Sequence, residues 1–107
     1  MKKYVYLIVL SLLIPNILPV DGAQLNYTHV LFEWAQIEDA ESYEIQISDS
    51  NNFSNILSTV TTQSLVYIEK NNIDWDGQYY WRLRGLDYEG NPGSWKLVRK
   101  FFIYNSK

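Results

Sequence analysis

Apolar and polar side chains alternate along three segments of the chain, 30–34, 42–48 and 79–86. A period of two places every second side chain on the same face, which is typical of β-strands that are buried on one side only. No segment shows the sustained apolar spacing of an amphipathic helix. The side chains predicted to form the core on these strands are Phe32, Trp34, Tyr43, Ile45, Tyr79, Trp81 and Leu83.

Shorter runs of β-branched and aromatic residues predict additional strands. In the last of these runs the alternation does not decide which face is buried: if Phe101 and Ile103 point inward, Phe102 and Tyr104 lie outside. A candidate first strand precedes the others. The predicted additional strands cover 19–23, 56–61, 65–68 and 94–104.

Turn-forming residues separate the predicted strands. Asp, Asn, Ser, Gly and Pro cluster at 49–52 and again at 87–93, where their side chains satisfy local backbone groups or supply the required backbone angles. We expect Ser48 to point outward and Phe53, just after the first turn, to fold back into the core. Short strands with turn signals every 8–12 residues predict an all-β sandwich or barrel.

The N-terminal residues have the composition of a secretory leader. Lys2 and Lys3 precede a mostly apolar run over 4–18. A cationic start followed by about 7–15 apolar residues is typical of a signal peptide, whereas a membrane span needs about 20. We predict a signal peptide over 1–18, with cleavage between about 16 and 23, and a secreted, periplasmic or cell-surface protein. An uncleaved anchor and a buried first strand are the alternatives.

Length and charge limit the possible partners. The 107 residues allow one domain, which we place at 19–105. A net charge of −3 argues against nucleic acid or an anionic lipid surface, because the chain would not neutralise their phosphates. Membrane contact is expected only through an uncleaved N-terminal segment. The sequence contains no cysteine, which excludes disulfides and thiolate metal sites.

Groups suited to catalysis are few. His29 is the only histidine, and nucleophilic catalysis needs a base oriented beside a serine or threonine. Glu38, Asp39 and Glu41 lie in one short loop, but Ca²⁺ needs six or more oxygen ligands and acidic loops are usually solvated. The sequence therefore predicts no catalytic residue, no metal site, no cofactor and no enzymatic activity.

Several segments, taken in order, resemble a fibronectin type III domain of the kind found in bacterial exported proteins. Trp34 is similar to the core tryptophan of the family's second strand. Tyr79 is similar to the tyrosine whose hydroxyl bonds back to the connection before the sixth strand, and Ile73 is the apolar residue in that connection. The resemblance implies a seven-stranded, two-sheet Greek-key sandwich of immunoglobulin-like topology, and it implies no reaction. It rests on Trp34, 40–48, 52–53, 79–84, 93–95, Phe101 and Ile103.

One strand carries cations on its expected outer face. Arg82 and Arg84 alternate with the predicted core residues, and the neighbouring strand offers Glu44 and Gln46. Cross-strand ion pairs and stacking on aromatic rings would account for them, and a ligand-contact surface is the alternative. The candidate binding residues are Tyr80, Arg82, Tyr88 and Trp95.

These patterns predict a non-catalytic exported scaffold or interaction module, namely a spacer or accessory domain of a larger secreted or cell-surface protein. Its expected partner is a neighbouring domain or protein subunit. One alternative is a stand-alone module that binds a glycan or a protein through exposed aromatic side chains. Another is the N-terminal accessory domain of a polysaccharide-degrading enzyme, with further sequence beyond the 107 residues.

Overall fold

The computed structural model describes residues 17–105. This part of the chain is all-β, with seven strands and no helix, so the predicted fold class is confirmed at this level. The strands are β1 (Ala23–Leu25), β2 (Val30–Glu33), β3 (Ser42–Ser48), β4 (Ile56–Thr62), β5 (Val66–Glu69), β6 (Gln78–Leu86) and β7 (Lys96–Ile103).

The strands form two sheets. The larger sheet has the order β1-β7-β6-β3-β4, and the smaller pairs β2 with β5. Neighbouring strands run antiparallel, except β1 and β7, which run parallel. Before β1, the backbone of Leu18 exchanges two hydrogen bonds of 2.9 Å with Glu33 on β2. The chain therefore contacts the smaller sheet first and then crosses to the edge of the larger one.

The first strand was predicted over 19–23 but begins only at Ala23. Gly22 adopts a φ of +83°, and the amide of Ala23 donates to the carbonyl of Val20 at 3.0 Å. This local turn prevents Pro19 to Asp21 from pairing as a strand. The sequence signal for an early strand was right, but its position was wrong by several residues.

Aromatic side chains join the inner faces of the two sheets. The ring of Phe32 on β2 lies 5.3 Å from that of Trp81 and 5.8 Å from that of Phe101, both edge-on. Such contacts contribute dispersion energy beyond the apolar area that they bury. All seven side chains expected in the core are buried: Phe32, Trp34, Tyr43, Ile45, Tyr79, Trp81 and Leu83.

Tyr79 fixes the connection that leads into β6. Its hydroxyl accepts a hydrogen bond of 2.8 Å from the backbone amide of Asp74, as the resemblance implies for a tyrosine at this position. The ring packs closely against Gly77, where an added Cβ would lie 2.6 Å from ring atoms of Tyr79. Ile73, also in this connection, is buried in the core.

The turn after β3 corrects the expectation for Phe53 and buries Ser48 on its predicted outer face. Ser48 lies opposite Tyr80 on the outer face of the larger sheet, yet it is fully buried. The segment 49–55 folds over it, and its hydroxyl donates to the carbonyl of Asn55 at 2.7 Å. Phe53 is buried too, but against Arg82 on the outer face, and it is not part of the core cluster.

The predicted signal peptide falls, up to residue 16, outside the described residues. Within residues 17–105, the structure contains no helix that is both long and apolar enough to cross a membrane.

Candidate interaction surface

The outer face of β6 carries two of the four candidate binding residues, Tyr80 and Arg82. Trp81 and Leu83 on this strand are buried, so period-two alternation turns Arg82 and Arg84 to the opposite face. On the neighbouring strand β3, Gln46 stands directly opposite Arg82, and Glu44 directly opposite Arg84. The register of two core strands therefore sets two polar pairs side by side.

Two aromatic rings and two guanidinium groups stack on this face. The guanidinium carbon of Arg82 lies 4.2 Å from the ring centre of Phe53 and 4.1 Å from that of Trp95. The guanidinium carbon of Arg84 also lies 4.1 Å from the Trp95 ring. We call these four residues, Phe53, Arg82, Trp95 and Arg84, the arginine–aromatic stack.

Hydrogen bonds in the plane of each guanidinium complete the stack. Arg82 donates from Nε and Nη2 to Oε1 of Gln46, at 2.9 and 2.7 Å. Arg84 donates from Nε to Oε1 of Glu44, which forms an ion pair between β6 and β3. Burial lowers the pKa of Arg82 from its ordinary value, and the charge of Arg84 acts in the same direction. The guanidinium remains charged at neutral pH.

The arrangement suits a structural role. Rings cover both faces of Arg82, and Gln46 takes two of its donors. A ligand would have to displace one of these groups before it could reach the guanidinium. The stack fastens the turn before β4 and the segment before β7 onto the sheet, and each cation–π contact contributes about 0.5–2 kcal/mol.

The four candidate binding residues do not converge on one place. Arg82 and Trp95 belong to the stack. Tyr80 lies on the same face, two residues along β6, and its hydroxyl accepts a hydrogen bond of 2.7 Å from Gln78. Tyr88 lies in the loop after β6 and is 88% exposed.

An acidic cleft separates the loop before β3 from the loop after β6. Its volume is about 240 Å³, and Ile37, Ala40 and Pro92 contribute to its apolar lining. Asp39 and Asp87 lie where this cleft meets a second, more polar one. Within residues 17–105, no three histidine or carboxylate side chains are grouped so that they could hold a metal ion.

Glu69 is a buried carboxylate at the end of β5, only 2% exposed. It accepts hydrogen bonds from the hydroxyl of Tyr67, the amide of Asn71 and the side chain of Asn72, at 3.1–3.4 Å. Burial by itself raises its pKa, but these bonds and one from Ser58 outweigh that effect and hold the pKa below its ordinary value. Burial and the charge of Glu69 raise the pKa of Tyr67.

Sequence reasoning missed the positions of Phe53 and Glu69. Phe53 adopts a φ of 56°, and only the path of the turn decides which face it covers. Glu69 ends an apolar run, and a carboxylate there is normally expected at the surface. A cluster of hydrogen-bonding side chains at 67–72 is the one signal that could have indicated its role.

Neither a protein-family model nor a curated protein sequence matches the chain. Among solved structures, the fold is similar to part of the crystal structure of a β-1,2-glucanase from Parabacteroides distasonis. The TM-score is 0.60, with 16% sequence identity, and the match covers 89% of this chain but 14% of that chain. At this identity the similarity shows the fold alone. The chain thus shares its all-β architecture with a small part of a much longer protein.

Proposed function

We propose that this protein is a non-catalytic, exported spacer and interaction module with fibronectin type III topology. The observation that carries the proposal is the parallel pairing of β1 with β7. Two parallel strands run in the same direction along a sheet. The chain therefore enters β1 and leaves β7 in the same direction, with Ala23 level with Phe101 and Leu25 level with Ile103.

This path suits a module that separates its neighbours. β6 has nine residues, which at about 3.3 Å per residue gives the sheet a length of roughly 30 Å. In register the start of β1 lies only two residues from the end of β7, about 7 Å of that length, and segments attached at these two points would extend in opposite directions. The parallel pair and the bridge from Leu18 to Glu33 hold the first segment of the domain against both sheets.

The chemistry of the surface supports a non-catalytic role. The cations on β6 are engaged by rings, by Gln46 and by Glu44. His29 is exposed just before β2. Asp87, at the cleft, accepts hydrogen bonds from the amides of Glu89 and Asn91, so its carboxylate shapes its own loop.

Export is tested by expressing the full chain in a bacterial host and separating cytoplasm, periplasm, membrane and medium. We expect the protein outside the cytoplasm, with an N-terminus between residues 17 and 24 by mass spectrometry, matching the predicted cleavage range. Leu10→Arg, which interrupts the apolar run, should keep it inside, whereas Leu65→Arg, at an exposed position, should not. Cytoplasmic wild-type protein would overturn the proposal of export.

A glycan array separates the spacer role from carbohydrate binding. A spacer retains no glycan. The alternative, a stand-alone carbohydrate- or protein-binding module, predicts retention that Trp75→Ala or Tyr88→Ala abolishes, because these two rings are exposed. Glycan retention by the wild type that is lost in either variant would overturn the spacer proposal in favour of a binding module.

A second candidate is an accessory domain of a polysaccharide-degrading enzyme. The structural similarity to part of a β-1,2-glucanase chain favours it, although that glucanase's activity belongs to a much longer protein. Reading the coding frame beyond Lys107 is the test. A downstream catalytic domain would support this candidate, and a stop codon there would overturn it.

A further inference from the structure

The outer edge of β4 is open to strand pairing. β4 lies at one end of the larger sheet and pairs with β3 alone. Within residues 17–105, no other strand bonds to its second edge. The backbone amides and carbonyls on that edge need hydrogen-bond partners, either water or another strand.

The other edge strands of the two sheets have features that discourage pairing with a strand of another chain. β1 has only three residues, and the stretch of β7 that it leaves uncovered holds Lys96 and Arg99. β5 has four residues and turns a charged side chain, Glu69, into the interior. The backbone of Leu18 bridges to β2. Short strands, charges and covered edges are known protections against unwanted pairing.

β4 lacks these protections. It has seven residues, ILSTVTT, with no charge, proline or glycine. Its one irregularity is at the start, where the register with β3 shifts between Ser58 and Ile56. The stretch from Ser58 to Thr62 pairs regularly, with Thr59 and Thr61 exposed on the outer face. β-branched, uncharged and unbroken segments are the ones that add strands most readily.

We propose that a second copy of this chain pairs with β4 in antiparallel fashion and joins two larger sheets into one continuous sheet. A two-fold axis at Val60, the centre of the regular stretch, places Thr59 opposite Thr61 of the second copy. Ser58 then faces Thr62 of that copy, and side chains of like position stay on the same face. Threonine pairs of this kind stabilise neighbouring strands. An antiparallel two-fold contact uses the same surface on both copies and closes at a dimer.

The edge selects a second copy over a charged foreign segment. β4 offers no charge for such a segment to recognise. The nearest charged side chains on β3 and β6, Glu44 and Arg84, are already paired with each other. Within β4 itself, two copies meet without like charges, and the carboxylates beside its ends, Asp49 and Glu41, are each bonded within their own chain, to Asn55 and Gln63. One strand pair buries less than the roughly 1,200 Å² of a standard complex, so the dimer is weak and depends on concentration.

Sedimentation velocity on the full chain, from about 5 µM to 1 mM, tests the proposal. We expect a monomer–dimer equilibrium that Thr59→Lys with Thr61→Lys weakens at least tenfold, because the new lysines face each other across the axis. The matched control is Gln24→Lys with Val98→Lys, which adds the same charge at exposed positions of β1 and β7. It should dimerise like the wild type. All variants carry the same N-terminal segment, so association through that segment affects them equally.

Hydrogen exchange locates the contact. Amides within Ser58–Thr62 should exchange more slowly as the concentration of the wild type rises, and should not respond in the Thr59→Lys, Thr61→Lys variant. A wild type that is monomeric throughout, association that both variants retain, or growth beyond a dimer would each overturn the proposal. The inference goes beyond the proposed spacer role and does not require export, so the two can fail separately.

Discussion

The guanidinium carbon of Arg82 lies 4.1 Å from the centre of the Trp95 ring. This contact joins the middle of β6 to the segment that leads into β7. The ring of Phe53, from the turn before β4, lies on the other side of the Arg82 guanidinium. One cation thereby connects three parts of the chain that are distant in sequence.

Trp95→Ala should lower the free energy of unfolding by about 1–3 kcal/mol, because it removes the ring from both Arg82 and Arg84. Trp75→Ala is the matched control. Trp75 is 49% exposed and is not part of the stack, so its loss should cost less than about 1 kcal/mol. Urea unfolding followed by circular dichroism measures both. Equal losses would show that the stack contributes nothing specific.

Tyr79→Phe should destabilise the domain by about 1–3 kcal/mol, because the amide of Asp74 loses its hydroxyl acceptor. Gly77→Ala should act through the same contact, since an added Cβ would displace the Tyr79 ring. The two changes together should therefore cost less than the sum of their separate effects. Tyr88→Phe, at an exposed hydroxyl, serves as the control. Strict additivity in the double variant would contradict this explanation.

Trp34→Ala should cost about 3–5 kcal/mol, because it opens a cavity in the core. The Nε1 of Trp34 is buried with no hydrogen-bond partner in the described part of the chain. Trp34→Phe keeps much of the apolar contact with Tyr43 and removes that unsatisfied group, so it should cost less than about 2 kcal/mol. Thermal unfolding of Trp34→Ala and Trp34→Phe measures this difference in stability. A melting curve unchanged by Trp34→Ala would disprove the face assignment of β2.

Acid should destabilise the domain partly through Glu69. Its folded-state pKa lies below the ordinary value, so its contribution is fully present above about pH 4.3, the usual unfolded value. That contribution is lost as the pH falls through the folded-state pKa. Glu69→Gln should be less stable at pH 7 and should lose stability less steeply below about pH 4.3. Urea titrations at each pH give the free energy of unfolding of both proteins. If this free energy fell equally steeply with pH in the wild type and in Glu69→Gln, Glu69 would have no such role.

The alternation of apolar and polar residues correctly predicted which side chains of these strands face the core, because burial on one face imposes a period of two. Phe32, Tyr43 and Trp81 are placed inward by that rule alone, and all are buried. The rule ends where a strand ends. Phe53 follows a turn, and the direction of a turn depends on backbone angles that composition does not fix.

The candidate site was only partly predictable for a related reason. The pairing of Arg82 with Gln46 follows from the register of β6 against β3. It could be anticipated because the sequence predicts these two strands to be neighbours. Contact with Trp95 depends on the course of the chain around the start of β7, where Leu97, the second residue of the strand, has a φ of 55°. The burial of Glu69 depends on its surroundings in the folded chain, since its own residue type favours solvent.

The parallel ladder between β1 and β7 also determines how the domain responds to tension. A pull at the two chain ends draws Ala23–Leu25 and the facing residues 101–103 lengthwise past each other, across their hydrogen bonds. The bonds in such a pair share the load and must rupture together, whereas an antiparallel hairpin pulled from its open end unzips bond by bond. A pull at the two chain ends therefore loads these three residue pairs in shear.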